Sequence, residues 1–186
     1  MLDIASARGP VRRSLAVNPV RLLVPLLACL AGCFTVDGTL KPDGSGTLEL
    51  TYQVPANATE AGERQRFVSP HVTLDSLTIK GGSAVAKLHV DDVSRLQTAE
   101  MFHTVTVSRA HQDDDMRLTI TIKNPNPREI KDEGKPGPKI IIRLPGKVRE
   151  ANHQAQVADD RVTWSFSLAE YMKSPSVDLT VRYAGG

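Results

Sequence analysis

Cys29 and Cys33 are the two cysteines of the chain, four residues apart in its most apolar stretch, Leu26 to Phe34. Thiols can pair, ligate a metal or accept a covalent group. A disulfide between them requires the apolar stretch to survive in the mature product. The other chemically capable residues are dispersed. His71, His89, His103, His111 and His153 are scattered along the chain. His103 and His111 are placed to meet across an antiparallel strand pair, yet no acid or thiol completes a catalytic set. No His-Glu-x-x-His, no Gly-x-Ser-x-Gly and no phosphate-binding glycine loop ending in Lys-Ser or Lys-Thr is present. Asp113-Asp114-Asp115 are consecutive, so their carboxylates diverge, whereas calcium loops space acids to converge; the run reads as a solvated turn. Neither catalytic residue, metal ligand nor cofactor site is expected, and the chain is read as no enzyme.

The N-terminal region explains the cysteines. Arg8, Arg12, Arg13 and Arg21 face the single acid Asp3. The 11-residue run Leu22 to Gly32 follows without a charge. Basic zone, short apolar zone and closing small residues are the layout of a secretory signal peptide. A membrane-spanning helix needs about 20 apolar residues, and Pro25 interrupts this run. Leu30-Ala31-Gly32-Cys33 resembles the lipobox of bacterial lipoproteins. The resemblance implies that Leu30, Ala31 and Gly32 are recognised by the signal peptidase. It also implies that Cys33 takes diacylglycerol through its thiol, and fatty acid such as palmitate on its new amine. Cys29 ends a poorer match, with a bulky leucine at a position that favours small residues. Residues 1–32 are expected to be cleaved as signal, Cys29 with them, and residues 33–186 to form one lipidated envelope domain. Two or three acyl chains at about 0.8 kcal/mol per buried methylene hold a protein durably on a membrane. Phe34, not an aspartate, follows the cysteine. By the sorting rule of enterobacteria this sends the protein to the outer membrane, facing the periplasm, in a host with two membranes.

The net charge is +2 over 186 residues, with 24% charged and 40% hydrophobic residues. Without the basic leader the remainder is close to neutral. Aromatic residues are 4%. That balance, with an envelope address, excludes nucleic acid as a partner.

Beyond Cys33 the dominant period is two. Thr47 to Val54, Val105 to Ser108, Leu118 to Lys123 and Val177 to Arg182 alternate apolar and polar side chains, the mark of strands with one buried and one wet face. Turn residues at Lys41 to Gly46, Gly81-Gly82, Gln112 to Asp115 and Ala158 to Asp160 predict hairpins with antiparallel neighbours. A short helix is expected over Thr59 to Phe67. A better one is expected over Asp91 to Phe102, capped by Asp91 or Asp92, with Val93, Leu96 and Ala99 on one face. Ser167 to Met172 is read as a single turn. The segment Asn124 to Pro138 holds Pro125, Pro127, Pro136 and Pro138 and is read as a loop outside any ladder. The expected class is α+β, a mainly antiparallel curved β-sheet on one or two helices. An all-β barrel or sandwich is the alternative. Trp164, the single tryptophan, is read as a core anchor on an alternating strand.

Two stretches carry a family resemblance. Phe34 to Leu40 with Asp43 to Thr47 follow the cysteine. Leu144-Pro145-Gly146-Lys147-Val148, Ala151-Asn152 and Arg161-Val162-Thr163-Trp164 come later. The arrangement resembles the LppM-like lipoproteins. It implies an α/β or β-rich envelope domain that touches lipid or glycolipid, and it transfers no catalytic residue. The functional expectation is a lipid-anchored cell-envelope binding module, held to the membrane through Cys33. Its partner is a lipid ligand or an envelope protein. The alternatives are a structural or assembly lipoprotein working through a protein partner and, last, an envelope hydrolase.

Overall fold

The computed structural model describes residues 34–131 and 134–185. The signal, Leu30, Ala31, Gly32 and Cys33 lie outside the described residues, as do positions 132 and 133 of the proline-rich segment.

Eleven strands are described: β1 (Thr35–Leu40), β2 (Gly46–Gln53), β3 (Val72–Lys80), β4 (Ser83–Val90), β5 (Val105–Gln112), β6 (Asp115–Lys123), β7 (Pro136–Arg143), β8 (Val148–Ala151), β9 (Gln156–Ala158), β10 (Arg161–Ser167) and β11 (Ser176–Ala184). Two short helices, α1 (Glu60–Gln65) and α2 (Leu168–Lys173), complete an α+β fold. The strands form a seven-stranded sheet in the order β3-β4-β2-β1-β7-β10-β9 and a four-stranded sheet in the order β5-β6-β11-β8. Pairing is antiparallel except between β1 and β7, which run parallel. Neither sheet closes into a barrel, since β3 and β9 end the larger one and β5 and β8 the smaller. One hydrophobic cluster takes side chains from both sheets, among them Leu50, Trp164, Ile120 and Leu179.

The predicted hairpins form. Gly44 sits at φ 91° in the β1–β2 turn, where Asp43 accepts from the main chain and hydroxyl of Ser45 at 2.9 and 2.8 Å. Those bonds hold the Asp43 carboxyl below its ordinary pKa. Asp113 and Asp159 take the left-handed conformation in the β5–β6 and β9–β10 turns. Asp115 does not stay in solvent with its neighbours. It pairs with Arg182 at 3.3 Å and Arg149 at 3.7 Å.

Two expectations are corrected. Asp91 to Phe102 is not one α-helix but two 3₁₀ turns, Val93–Thr98 and Glu100–Phe102, broken at Ala99 with ψ 137°. Val93, Leu96, Ala99 and Phe102 are all buried. Their spacing of three is the repeat of a 3₁₀ turn, in which residues i and i+3 eclipse. Asp92 is the cap, accepting from the Ser94 amide at 2.9 Å. The second correction concerns the prolines, since β7 starts at Pro136 and includes Pro138. Both lie at the beginning of the strand, where a missing N–H is tolerated, and Pro138 is fully buried. The rest of the segment is tied to α2, Arg128 donating its amide to the Met172 carbonyl at 2.8 Å.

Candidate functional site

The alternation of β1, β2, β5, β6 and β7 directs one row of apolar side chains from each strand between the sheets. β1 interrupts its row with Gly38. A Cβ there would stand 2.8 Å from Leu48 Cδ2 and 3.2 Å from Ile142 Cδ1, so the ends of those two side chains close over the glycine and leave no room for one of its own. A cavity of about 90 Å³ opens at this level, with Leu50, Ile140, Val107, Leu118 and Ile120 in its walls and Phe102 over it. Thr39 is the one lining residue with a polar side-chain atom. Val36, Leu48 and Val105 are its half-exposed members. Left empty, a void of this size costs a domain about 2 kcal/mol, at ~24 cal/mol per Å³. Core packing alone therefore gives no reason to keep it.

The two ends of the cavity are fastened differently. At one, Arg109 of β5 donates Nη2 to the Pro42 carbonyl in the β1–β2 turn at 2.8 Å, joining the sheets. At the other, Phe34 lines the cavity and meets Tyr171 of α2 edge-on, with centroids 6.0 Å apart. Burial raises the pKa of the Tyr171 hydroxyl. Cys33, the expected lipidation site, precedes Phe34 directly in the chain.

A second depression, polar and larger at about 680 Å³, lies among β10, α2, the start of β11 and the β8–β9 turn. In that turn His153 and Gln154 stand at φ 53° and 49°, and the Ala155 amide reaches the Asn152 carbonyl at 3.2 Å. Two central residues with positive φ make a type I′ turn, which favours Asn-Gly. Here both carry long side chains, at a strain on the order of 1–2 kcal/mol per residue. Asn152 anchors the turn, donating Nδ2 to the Asp178 carbonyl at 2.6 Å and accepting the Thr180 amide at 2.9 Å. Across the groove, α2 begins with a capping box in which Glu170 accepts from the Ser167 amide and hydroxyl at 2.9 and 2.8 Å. Those bonds, the main-chain one first, lower the Glu170 pKa.

The histidines do not converge. His103 follows the second 3₁₀ turn and bonds the Glu100 carbonyl at 2.7 Å. His111 stands opposite Met116 near the far end of β5, which at about 3.4 Å per residue places the two histidines well apart. His71 is 3.2 Å from Asp91, and His89 is exposed on β4. Only His153 among them lines either depression, and its Nε2 meets the main-chain carbonyl of Asp178 at 3.1 Å rather than a carboxylate. Trp164 is fully buried. The cavity and the His153–Gln154 turn escaped sequence reading. Neither leaves a signal, since the cavity exists only where the two sheets meet and His-Gln is not a turn dipeptide.

No protein-family profile and no curated protein matches the sequence. The fold does have a counterpart. The chain is similar in structure to the folded domain of LppM from Mycobacterium tuberculosis, solved by NMR. The TM-score is 0.56 over 84% of this chain and 91% of that one, at 12% identity. At that identity the likeness to LppM concerns the fold, and it spans nearly all of the LppM domain. The residues that carried the sequence resemblance have structural roles here. Gly146 lies where any Cβ would overlap the Ala184 carbonyl, Asn152 pins β11, and Trp164 fills the core. Among the described residues no helix is long and apolar enough to cross a membrane.

Proposed function

We propose that this chain is a lipid-anchored binding module of the bacterial cell envelope, tethered through Cys33 and accepting the apolar end of a lipid between its two sheets. The cavity carries this reading, because its walls offer an acyl chain almost nothing but hydrocarbon. At about 90 Å³ it lies below the 300–1,000 Å³ of ordinary ligand pockets. It holds the end of one chain, and a longer segment requires the sheets to part at the half-exposed rim. The tether supports the same reading: lipid on Cys33 sits one residue from Phe34, so the cavity is presented close to the bilayer. In a host with two membranes this is the periplasmic face of the outer membrane. No catalytic role is part of the proposal, since His153 bonds main chain and Glu170 is committed to a helix cap.

The test uses full-length protein expressed in bacteria with a radiolabelled fatty acid. Label on the wild type and none on Cys33→Ser supports the anchor, and equal labelling overturns it. Purified protein titrated with a fluorescent fatty acid then tests the cavity: saturable binding supports it, and fluorescence no greater than with a soluble control protein overturns it.

One observation favours a second reading, assembly through a protein partner. The edge strand β9 is exposed throughout, with Val157 48% exposed, and such an edge can accept a strand from another chain. Crosslinking in intact cells should then trap one dominant partner, lost in Val157→Lys.

A further inference from the structure

The 680 Å³ groove beside α2 is separate from the apolar cavity and has the opposite chemistry. We propose that it is a saccharide-binding site, reading the hydroxyl groups of a neutral sugar.

Charge narrows the ligand first. The chain has 23 lysines and arginines, yet none lines the groove, while Glu170 and Asp178 do. Two carboxylates without a cation repel phosphates and carboxylates. What remains is a neutral or cationic ligand. The neutral side chains decide between these. Gln154, Gln156, Thr163 and Ser165 line the groove, and none makes a side-chain hydrogen bond among the described residues. On β10 and β9 the register places Thr163 opposite Gln156, on the face away from buried Val162 and Trp164. Amides and hydroxyls both donate and accept, as sugar hydroxyls do. A cation needs acceptors alone.

Each carboxylate also keeps a free oxygen. Glu170 uses Oε2 in its helix cap, and Asp178 uses Oδ1 to accept the Thr121 hydroxyl at 2.7 Å. Phe166 supplies a flat apolar surface, with the His153 ring edge-on at 5.9 Å, suited to the C–H face of a pyranose. The volume falls within the 300–1,000 Å³ expected of a ligand site. Finally, the turn that overhangs the groove retains His153 and Gln154 in the left-handed region, where Asn-Gly would fold without strain. Strain held at a cleft by residues whose side chains line it points to use of those side chains.

Such a sugar arrives either as a free glycan or as the headgroup of a glycolipid. The full chain is purified in lauryldimethylamine oxide, a detergent without sugar, and titrated calorimetrically with neutral gluco-, manno- and N-acetylglucosamine oligosaccharides. In parallel it is floated with phosphatidylcholine vesicles with and without a glycosyl diacylglycerol. Binding to an oligosaccharide assigns a free glycan. Sugar-dependent flotation without oligosaccharide binding assigns a headgroup. Either supports the site if Gln154→Gly and Gln156→Ala each weaken it about tenfold, the loss of one hydrogen bond to a ligand. Gln154→Gly should at the same time melt higher by about 2 °C, because glycine relieves the positive φ, so its lost binding is not lost folding. No binding in either format, or binding indifferent to both substitutions, overturns the proposal. Fatty-acid binding in the cavity is untouched by these variants, so the two readings fail separately.

Discussion

Trp164 donates its indole N–H to the main-chain carbonyl of Asn152 at 3.0 Å. The tryptophan belongs to the larger sheet, and the side chain of Asn152 grips β11 of the smaller one. One residue thus joins the two sheets beside the groove. Asn152→Ala removes both side-chain bonds and leaves the Thr180 amide without its acceptor, a cost of about 1–3 kcal/mol. Urea denaturation followed by Trp164 fluorescence should show the midpoint fall by that margin, whereas Gln154→Ala in the same turn should move it little.

The first helix is held by a buried polar cluster rather than an apolar face. Tyr52 Oη and Arg66 Nη1 both donate to Glu63 Oε2, at 2.7 and 2.9 Å. The Glu63 and Arg66 side chains are only 5% and 8% exposed. Glu63→Ala leaves the guanidinium in the core without its counter-charge and should cost about 3–5 kcal/mol. The double variant Glu63→Leu, Arg66→Met replaces the pair by apolar groups and should recover most of that loss in the same urea titration.

Gly38 lines the cavity between Leu48 and Ile142. In Gly38→Val the new side chain has no free space and must push aside the flexible ends of Leu48 and Ile142, both of which line the cavity. Fluorescent fatty-acid binding should fall at least tenfold, with the far-ultraviolet circular dichroism of the wild type retained. Undiminished binding would move the lipid elsewhere.

Acid should loosen the cap of α2. The folded-state pKa of Glu170 lies below its ordinary value because Ser167 donates to the carboxylate. Stability from a depressed pKa is present above the unfolded value, about 4.3 for glutamate, and is lost as pH falls through the folded value. Glu170→Gln keeps the cap's shape without its charge. It should melt below the wild type at pH 7, and the gap should close as a fluorescence melt is repeated down to about pH 3. Asp43 and Asp92 are depressed in the same direction by Ser45 and Ser94, but they remain in both proteins and cancel in the comparison.

The sequence by itself determined most of the strands of this protein and their hairpin turns, though neither the start of β7 nor the His153–Gln154 turn. Alternation over Thr47 to Gln53 or Leu118 to Lys123, bounded by glycine and aspartate, depends on neighbours along the chain, and those strands and hairpins form as expected. The expected export and lipidation signature from Leu30 to Cys33, which lies outside the described residues, is likewise a reading of neighbours along the chain. Spacing was ambiguous where two periods fit, as with Val93, Leu96 and Ala99, whose interval of three suits a 3₁₀ turn as well as a helix face. Tertiary structure alone decided the parallel pairing of β1 with β7, which joins Thr35 to Lys139 across more than half the chain, and the division into two sheets. It decided both depressions for the same reason. The cavity lies where β1, β2 and β7 face β5 and β6, and the groove is where β10, α2 and β11 converge. Neither spacing nor composition records a meeting of residues that distant in sequence.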